Sequence, residues 1–508
     1  MRKLNASITV FFSLLSVVFL AFTFTIVEAV RISGARAQCA DLAAIANWTL
    51  FSEYENGLLE KYDLFGIDTG FDSGTFSTDY LISKLKASML ENTDLPGDAG
   101  GKLPGMTFDP WKLSLRNVTV SQYALLSDRG GEPYYQQAVE FMHKTAWMNA
   151  LGKLQDAYQD ATTAHSTEEQ YQQDKSSEAD SSGSLLSELS DSYNKEMEEE
   201  YVPTPEEIRA RSRNPISKIS SLRSQGLLKL VCGSRMISDK KLSPEDLASQ
   251  RSKNHGNLSL HAPRGGSVDD LLFREYLLDH FPDFIENAET GTIRYQMEYI
   301  LCGKTSDEKN LKAVIEKLIG LREAVNYSIL VSTPAANMEA QTFAALIVGC
   351  FGSPALVQAL KHTLLLLWAY GESLYDVRML VHDGRVPAVK TFADWHIPLE
   401  DLIDIEVILP RADRDAGAPG AGMSYQDYIR VFLNMGSVTT QKKRSLDLVE
   451  LNLRASGGCP NFRVDNCVVA ITGRSSWLIN PVFSTVPAVV LGTASRILSV
   501  DVESGFRY

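Results

Sequence analysis

The sequence predicts an α+β protein, with an N-terminal transmembrane helix continuing into a helical stalk and then a mixed helix and strand ectodomain. Three observations predict it. The chain opens with residues 6–27, an apolar run without a charge, long enough at helical rise to cross a ~30 Å hydrocarbon core. Residues 159–197 shift to Ser, Glu, Gln and Asp, the composition of a linker or solvated helical spacer. From Val268 onward helical and strand periodicities mix with no βαβ rhythm, which points to an α+β domain rather than a doubly wound sheet.

The opening run is longer than the 7–15 apolar residues of a secretory signal, and Arg36 interrupts the A-x-A-like pattern of Ala35 and Ala37. It therefore reads as an uncleaved anchor. Arg2, Lys3 and the terminal amine outnumber Arg31 and Arg36 across the run by the amine alone; that margin, the very short leading tail and the resemblance given below put the expected N-terminus in the cytoplasm and the bulk outside the cell membrane. With no proline before Pro96 and only Gly34 before Gly57, one helix is expected from Ala6 to about Lys61. Glu28 either pairs with Arg31 at i+3 or snorkels to water.

Thr9, Ser13, Ser16 and Thr23 recur on one helical face, and Ala29, Ser33, Ala37, Ala40 and Ala44 continue a row of small residues beyond the membrane. Such a row suits close helix docking in lipid. The plainer alternative is that the hydroxyls bond back to their own i−4 carbonyls.

The expected division is a tail at 1–5, the anchor at 6–27, the stalk at 28–65, a first ectodomain segment at 66–158, a polar spacer with a short ordered island at 159–267, and a C-terminal α+β domain at 268–508. In the first segment, turn-rich clusters at 70–74 and 96–110 flank a short helix at 79–89. Leu113, Leu115, Val118 and Val120 indicate a strand with a bulge near Arg116 and Asn117. Gly130 and Gly131 break it, and Pro133 opens a helix to about Tyr158. Further on, 269–280 reads as a helix, 293–301 alternates like a strand, and Ser306 caps an amphipathic helix. Two apolar helices follow at 335–351 and 354–380. The first is too short to span a bilayer and Lys361 and His362 interrupt the second, so a buried hairpin is expected. Ser424 caps a helix, 446–453 forms another, and 467–472 and 488–491 supply strands.

Net charge −14 and pI near 5.2 argue against nucleic acid as a partner. Six cysteines without C-x-x-C spacing form neither a disulfide framework nor a zinc site, and Cys459 with Cys467 is the pair to test. Gly303-Lys304-Thr305 lacks the first glycine of a phosphate loop, where Glu298 stands, and no G-x-S-x-G or H-E-x-x-H occurs. No catalytic residue, cofactor or metal site is expected. The one concentrated charge set is Glu372, Asp376 and Arg378 on an apolar helix. Glu372 and Asp376 share a face and can serve as acid and base or hold a cation. The alternative is pairing with arginines such as Arg322 to fix helix packing.

Ile26-Val27-Glu28-Ala29-Val30-Arg31, followed by Gln38, Asp41, Ala43 and Ala44, resembles the N-terminal helix of Tad-type minor pilins and pseudopilins. The early glutamate and processing glycine of major pilins are absent, so the resemblance does not imply a filament's main subunit. Tyr299-Ile300-Leu301-Cys302-Gly303-Lys304, Arg322-Glu323-Ala324-Val325-Asn326, Ser424-Tyr425-Gln426-Asp427-Tyr428 and 461–467 resemble an uncharacterised clostridial family of N-terminally anchored surface proteins carrying only a domain-of-unknown-function label. These resemblances imply a single-pass structural or accessory component of a Tad-like pilus or related surface assembly. Its partners would be the lipid bilayer and other membrane or pilus-assembly proteins. The alternative is an anchored enzyme or ligand sensor using the carboxylate-bearing helix.

Overall fold

The opening helix α1 runs from Arg2 to Phe51 in a computed structural model that describes residues 2–71, 73–93, 111–145, 182–199, 201–224, 226–260, 266–287, 291–418, 420, 422–483 and 497–508. Among the described residues it is the one helix long and apolar enough to cross a membrane. Its first half is exposed, from Ile8 through Leu20. Beyond Glu28 it becomes two-faced: Ala35, Cys39, Leu42, Ala43, Ala46 and Leu50 are buried at helical spacing. The rod expected to reach Lys61 stops at Phe51, because Glu55 turns the chain and accepts from Gly57 N to cap a separate helix, α2 (Asn56–Tyr62).

The chain divides into two compact units. The first comprises Met1–Gln137, Arg251–Arg264 and Ser456–Tyr508. It contains α1, α2, β1 (Ile67–Asp68), α3 (Thr78–Thr93), β2 (Leu113–Leu125), the start of α4 (Asp128–Thr145), β3 (Cys467–Ile479) and β4 (Leu498–Arg507). All pairings are antiparallel and β3 is central, bonded to β2, β4 and β1. Leu115 pairs with Trp477 and Asn117 with Ser476, so Arg116 is the extra residue of a bulge where the sequence predicts one. The buried face of α1 packs on Leu81 and Leu85 of α3 and on Val118, Val468, Ile471 and Trp477 of the sheet. At the start of α4, Arg129, Gly130 and Gly131 take left-handed backbone conformations, a turn the two glycines adopt at no steric cost.

The second unit, Ala138–Gln250 with Gly265–Ala455, is helical. Its helices are α5 (Ser182–Glu198), α6 (Pro205–Ser212), α7 (Ile216–Ser224), α8 (Leu227–Cys232), α9 (Ser267–His280), α10 (Gln296–Cys302), α11 (Asp307–Ser332), α12 (Pro334–Val348), α13 (Pro354–Val381), α14 (Tyr425–Met435) and α15 (Val438–Ala455), with short turns between. Ser306, Ser353 and Ser424 each accept from the backbone N–H three residues on, capping α11, α13 and α14. From Leu364 to Val381 nearly every side chain of α13 is buried, so it is the unit's central helix.

Besides the end of α1, one assignment is corrected. Residues 293–301 are not a strand: Gln296–Cys302 is helix α10, whose Gln296 and Glu298 are as buried as Met297 and Tyr299. The two units are not contiguous in sequence, since the C-terminal strands return to the unit that holds α1. The part of the polar spacer at 182–199 is helix α5, tied into its unit by Glu196 and Arg211 at 2.7 Å and by Tyr193 Oη donating to Ile347 O at 2.9 Å. The turn cluster at 96–110, the helix beyond Thr145 and the strand at 488–491 lie outside the described residues. Among the described residues no two cysteines are joined by a disulfide; Cys467 is buried and Cys350 exposed.

Candidate functional site

The nine residues of the small row, Thr9, Ser13, Ser16, Thr23, Ala29, Ser33, Ala37, Ala40 and Ala44, are all exposed on α1. Ser13 Oγ donates to Val10 O at 2.8 Å and Thr23 Oγ1 to Phe19 O at 2.9 Å, so these two hydroxyls are satisfied within their own helix. Ala29, Ser33, Ala37, Ala40 and Ala44 turn away from the sheet. Val30, 69% exposed, makes the same side apolar, whereas Trp48 sets its ring edge-on against Phe506 of β4 at 5.0 Å.

Where the apolar run ends, Glu28 and Arg31 form a buried pair: Arg31 Nη2 and Nε donate to the carboxylate at 2.8 and 3.0 Å. Arg31 also donates to Trp111 O and Asn480 O, both at 2.8 Å, and Glu28 accepts from Val482 N and Phe483 N. Neither charge snorkels. Together they fasten α1 to the chain before β2 and after β3.

In the second unit, Glu372 and Asp376 sit one turn apart on α13 with fully buried side chains. Arg322 of α11 donates to Asp376 Oδ2 through Nη2 at 2.8 Å and Nε at 3.0 Å, and Asn326 Nδ2 adds a third donor at 3.1 Å. Arg322 Nη1 also donates to Pro387 O, Ala388 O and Tyr428 Oη, which holds the loop carrying Lys390. That loop is closed by Thr391, whose N–H and hydroxyl both donate to Asp394. Lys390 Nζ then reaches Glu372 Oε1 at 2.5 Å and contacts Asp376 Oδ1. Glu372 also accepts from the backbone N–H groups of His396 and Ile397. Burial pushes the Asp376 carboxyl up, and the Arg322 and Lys390 cations overcome that and hold it below the ordinary carboxylate range.

Oxygen or nitrogen atoms of Glu372, Asp376 and His396 lie within 4.8 Å of one another, the spacing of a cation site. The Lys390 ammonium fills that position, 3.4 Å from His396 Nδ1, and supplies the positive charge a metal would bring. Arg378 does not join the cluster: it pairs with Asp413 at 2.5 and 2.7 Å and donates to Leu230 O. Sequence reasoning missed Lys390 and His396. The signal for Lys390 is weak, a lone cation between Val389 and Phe392 with Trp395 beyond.

No curated protein and no solved structure matches the chain. The family of unknown function DUF5702 matches residues 205–478; this span is more than half of the chain and includes both carboxylates of α13 and their cationic partners, and the protein belongs to that family.

Proposed function

We propose that the protein is a membrane-anchored structural or accessory component of a Tad-like pilus or related cell-surface assembly, with α1 spanning the membrane and the two units outside it. The observation that carries this reading is the two-sidedness of α1. One side of its outer half is locked into the sheet, while Val30, Ala37 and Ala44 leave an exposed apolar and small-residue side continuous with the lipid-seeking half. Small side chains there let a neighbouring helix approach closely. The N-terminal resemblance to Tad-type minor pilins supports the same role. The enclosed Glu372 and Asp376 leave no open cleft for an enzyme or sensor, so the alternative gains no support from α13.

Ala37→Cys and Ala44→Cys, made in a Cys350→Ser background, test it by oxidative cross-linking in native membranes. Covalent adducts are expected at both positions and not at Glu140→Cys, an exposed control on α4. Equal adducts at all three positions, or none at 37 and 44, would count against helix docking.

A further inference from the structure

We propose that Lys390 and Asp376 condense to an intramolecular isopeptide bond, with Glu372 as the proton carrier. The proposal does not depend on the surface-assembly reading. It rests on the division of labour around the two oxygens of Asp376. Oδ2 receives three N–H donors, Arg322 Nε, Arg322 Nη2 and Asn326 Nδ2, at 3.0, 2.8 and 3.1 Å. Oδ1 has no aligned hydrogen bond among the described residues and is in contact with Lys390 Nζ instead. An amine held against a carboxyl whose other oxygen is gripped by fixed donors has the arrangement of acyl transfer: nucleophile, electrophile and oxyanion site.

The step balances without a co-reactant. Glu372 Oε1, 2.5 Å from Nζ, takes one proton from the ammonium and passes it to Asp376 Oδ1, and the free amine attacks Cγ of the neutralised carboxyl. The developing oxyanion is Oδ2, and its three donors stabilise it and then bind the amide carbonyl. The nitrogen loses a second proton; both protons end on Oδ1, the Cγ–Oδ1 bond breaks, and one water leaves. Glu372 returns to its carboxylate form and accepts from the new amide N–H. Arg322 favours the Asp376 anion before reaction, yet the same guanidinium is the strongest donor to the oxyanion. Burial of all three reacting side chains to 1% exposure or less keeps water from reversing the bond. It also replaces a buried ion pair, whose desolvation is costly, with a neutral amide.

The full chain, purified in detergent, decides the matter by mass. The expected intact mass is lower than the sequence mass by one water. Trypsin should release 362–378 covalently joined to 386–411, because cleavage after a modified Lys390 is blocked. Lys390→Arg keeps the cation without the amine and should restore the full mass. Glu372→Gln should do the same, and Asp376→Asn should lose ammonia in place of water. Wild-type protein at full mass, with 386–390 and 391–411 recovered as separate peptides, overturns the proposal whether or not any variant folds.

Discussion

Glu298 of α10 makes the stability of the second unit depend on pH in an unusual direction. Its carboxyl is completely buried; burial, and then the charge of Asp283, push its pKa from 4.5 to about 8. Oε1 accepts from Phe284 N at 2.9 Å and Tyr425 Oη at 2.7 Å, and Oε2 has no hydrogen-bond partner among the described residues. Between those two pH values the folded chain keeps a proton that the unfolded chain has released. Stability therefore falls as pH rises through that window, full below 4.5 and lost above 8. A gap of about 3.5 pH units at roughly 1.4 kcal/mol each amounts to roughly 5 kcal/mol. Glu298→Gln removes the titration while keeping the acceptor for both donors, and its amide nitrogen is no worse placed than the protonated Oε2. The assay is urea unfolding of both proteins in detergent micelles from about pH 5 to about pH 9. The two should be nearly equal at the acid end, with the variant the more stable by several kcal/mol at the alkaline end. Parallel stability curves across the range would refute the reasoning, because every other titrating group is shared.

Three further outcomes are expected. A membrane-impermeant maleimide should label intact cells at the exposed Cys350, and Cys350→Ser should abolish most of the signal; labelling that requires lysis would reverse the proposed topology. Gly66→Ala places a methyl group against the buried Cys467 Sγ and should cost roughly 1–3 kcal/mol in unfolding experiments. Adding Cys467→Ala should recover much of that loss, and simple additivity of the two changes would show that the contact is not the cause. Arg322→Met takes two of the three donors from Asp376 Oδ2 and strands the carbonyls of Pro387 and Ala388, and should destabilise by roughly 1–3 kcal/mol, read as a drop in thermal midpoint; an unchanged midpoint would show that the remaining partners suffice.

The parts of the fold legible in the sequence are those set by local rules. The uncharged opening run, the serine caps of α11 and α14, the bulge in β2 and the glycine turn before Pro133 all appear where the residues predict them. Alternation failed at 293–301 because it assumes that polar side chains face water. Gln296 is instead buried against Asn452 at 3.1 Å and Glu298 against Tyr425, so a helix buried on all sides looked like a two-faced strand. The two-unit division was illegible for another reason. β2 and β3 pair across some 350 residues of intervening chain, and no local pattern records a long-range partner. The α13 cluster was half visible: Glu372, Asp376 and even Arg322 could be named from spacing and charge, whereas Lys390 arrives from a loop whose course is fixed by carbonyls bonded to Arg322.

The pair Glu28 and Arg31 bears on how the anchor and its unit act together. A surface ion pair at i, i+3 is worth little, since water screens it and side-chain entropy opposes it. Here both side chains are 6% exposed or less, and each also binds backbone groups of the chain flanking the sheet. Leaving either alone would strand a charge in the interior, so the pair and its four backbone partners stand or fall as one unit. The apolar half of α1 is therefore joined to the sheet at Trp111 and 480–483, next to the start of β2 and the end of β3, and the rest of the helix along the apolar seam of Cys39, Leu42 and Ala46. Charge at the end of the apolar run and packing farther along thus join the same helix to the same sheet.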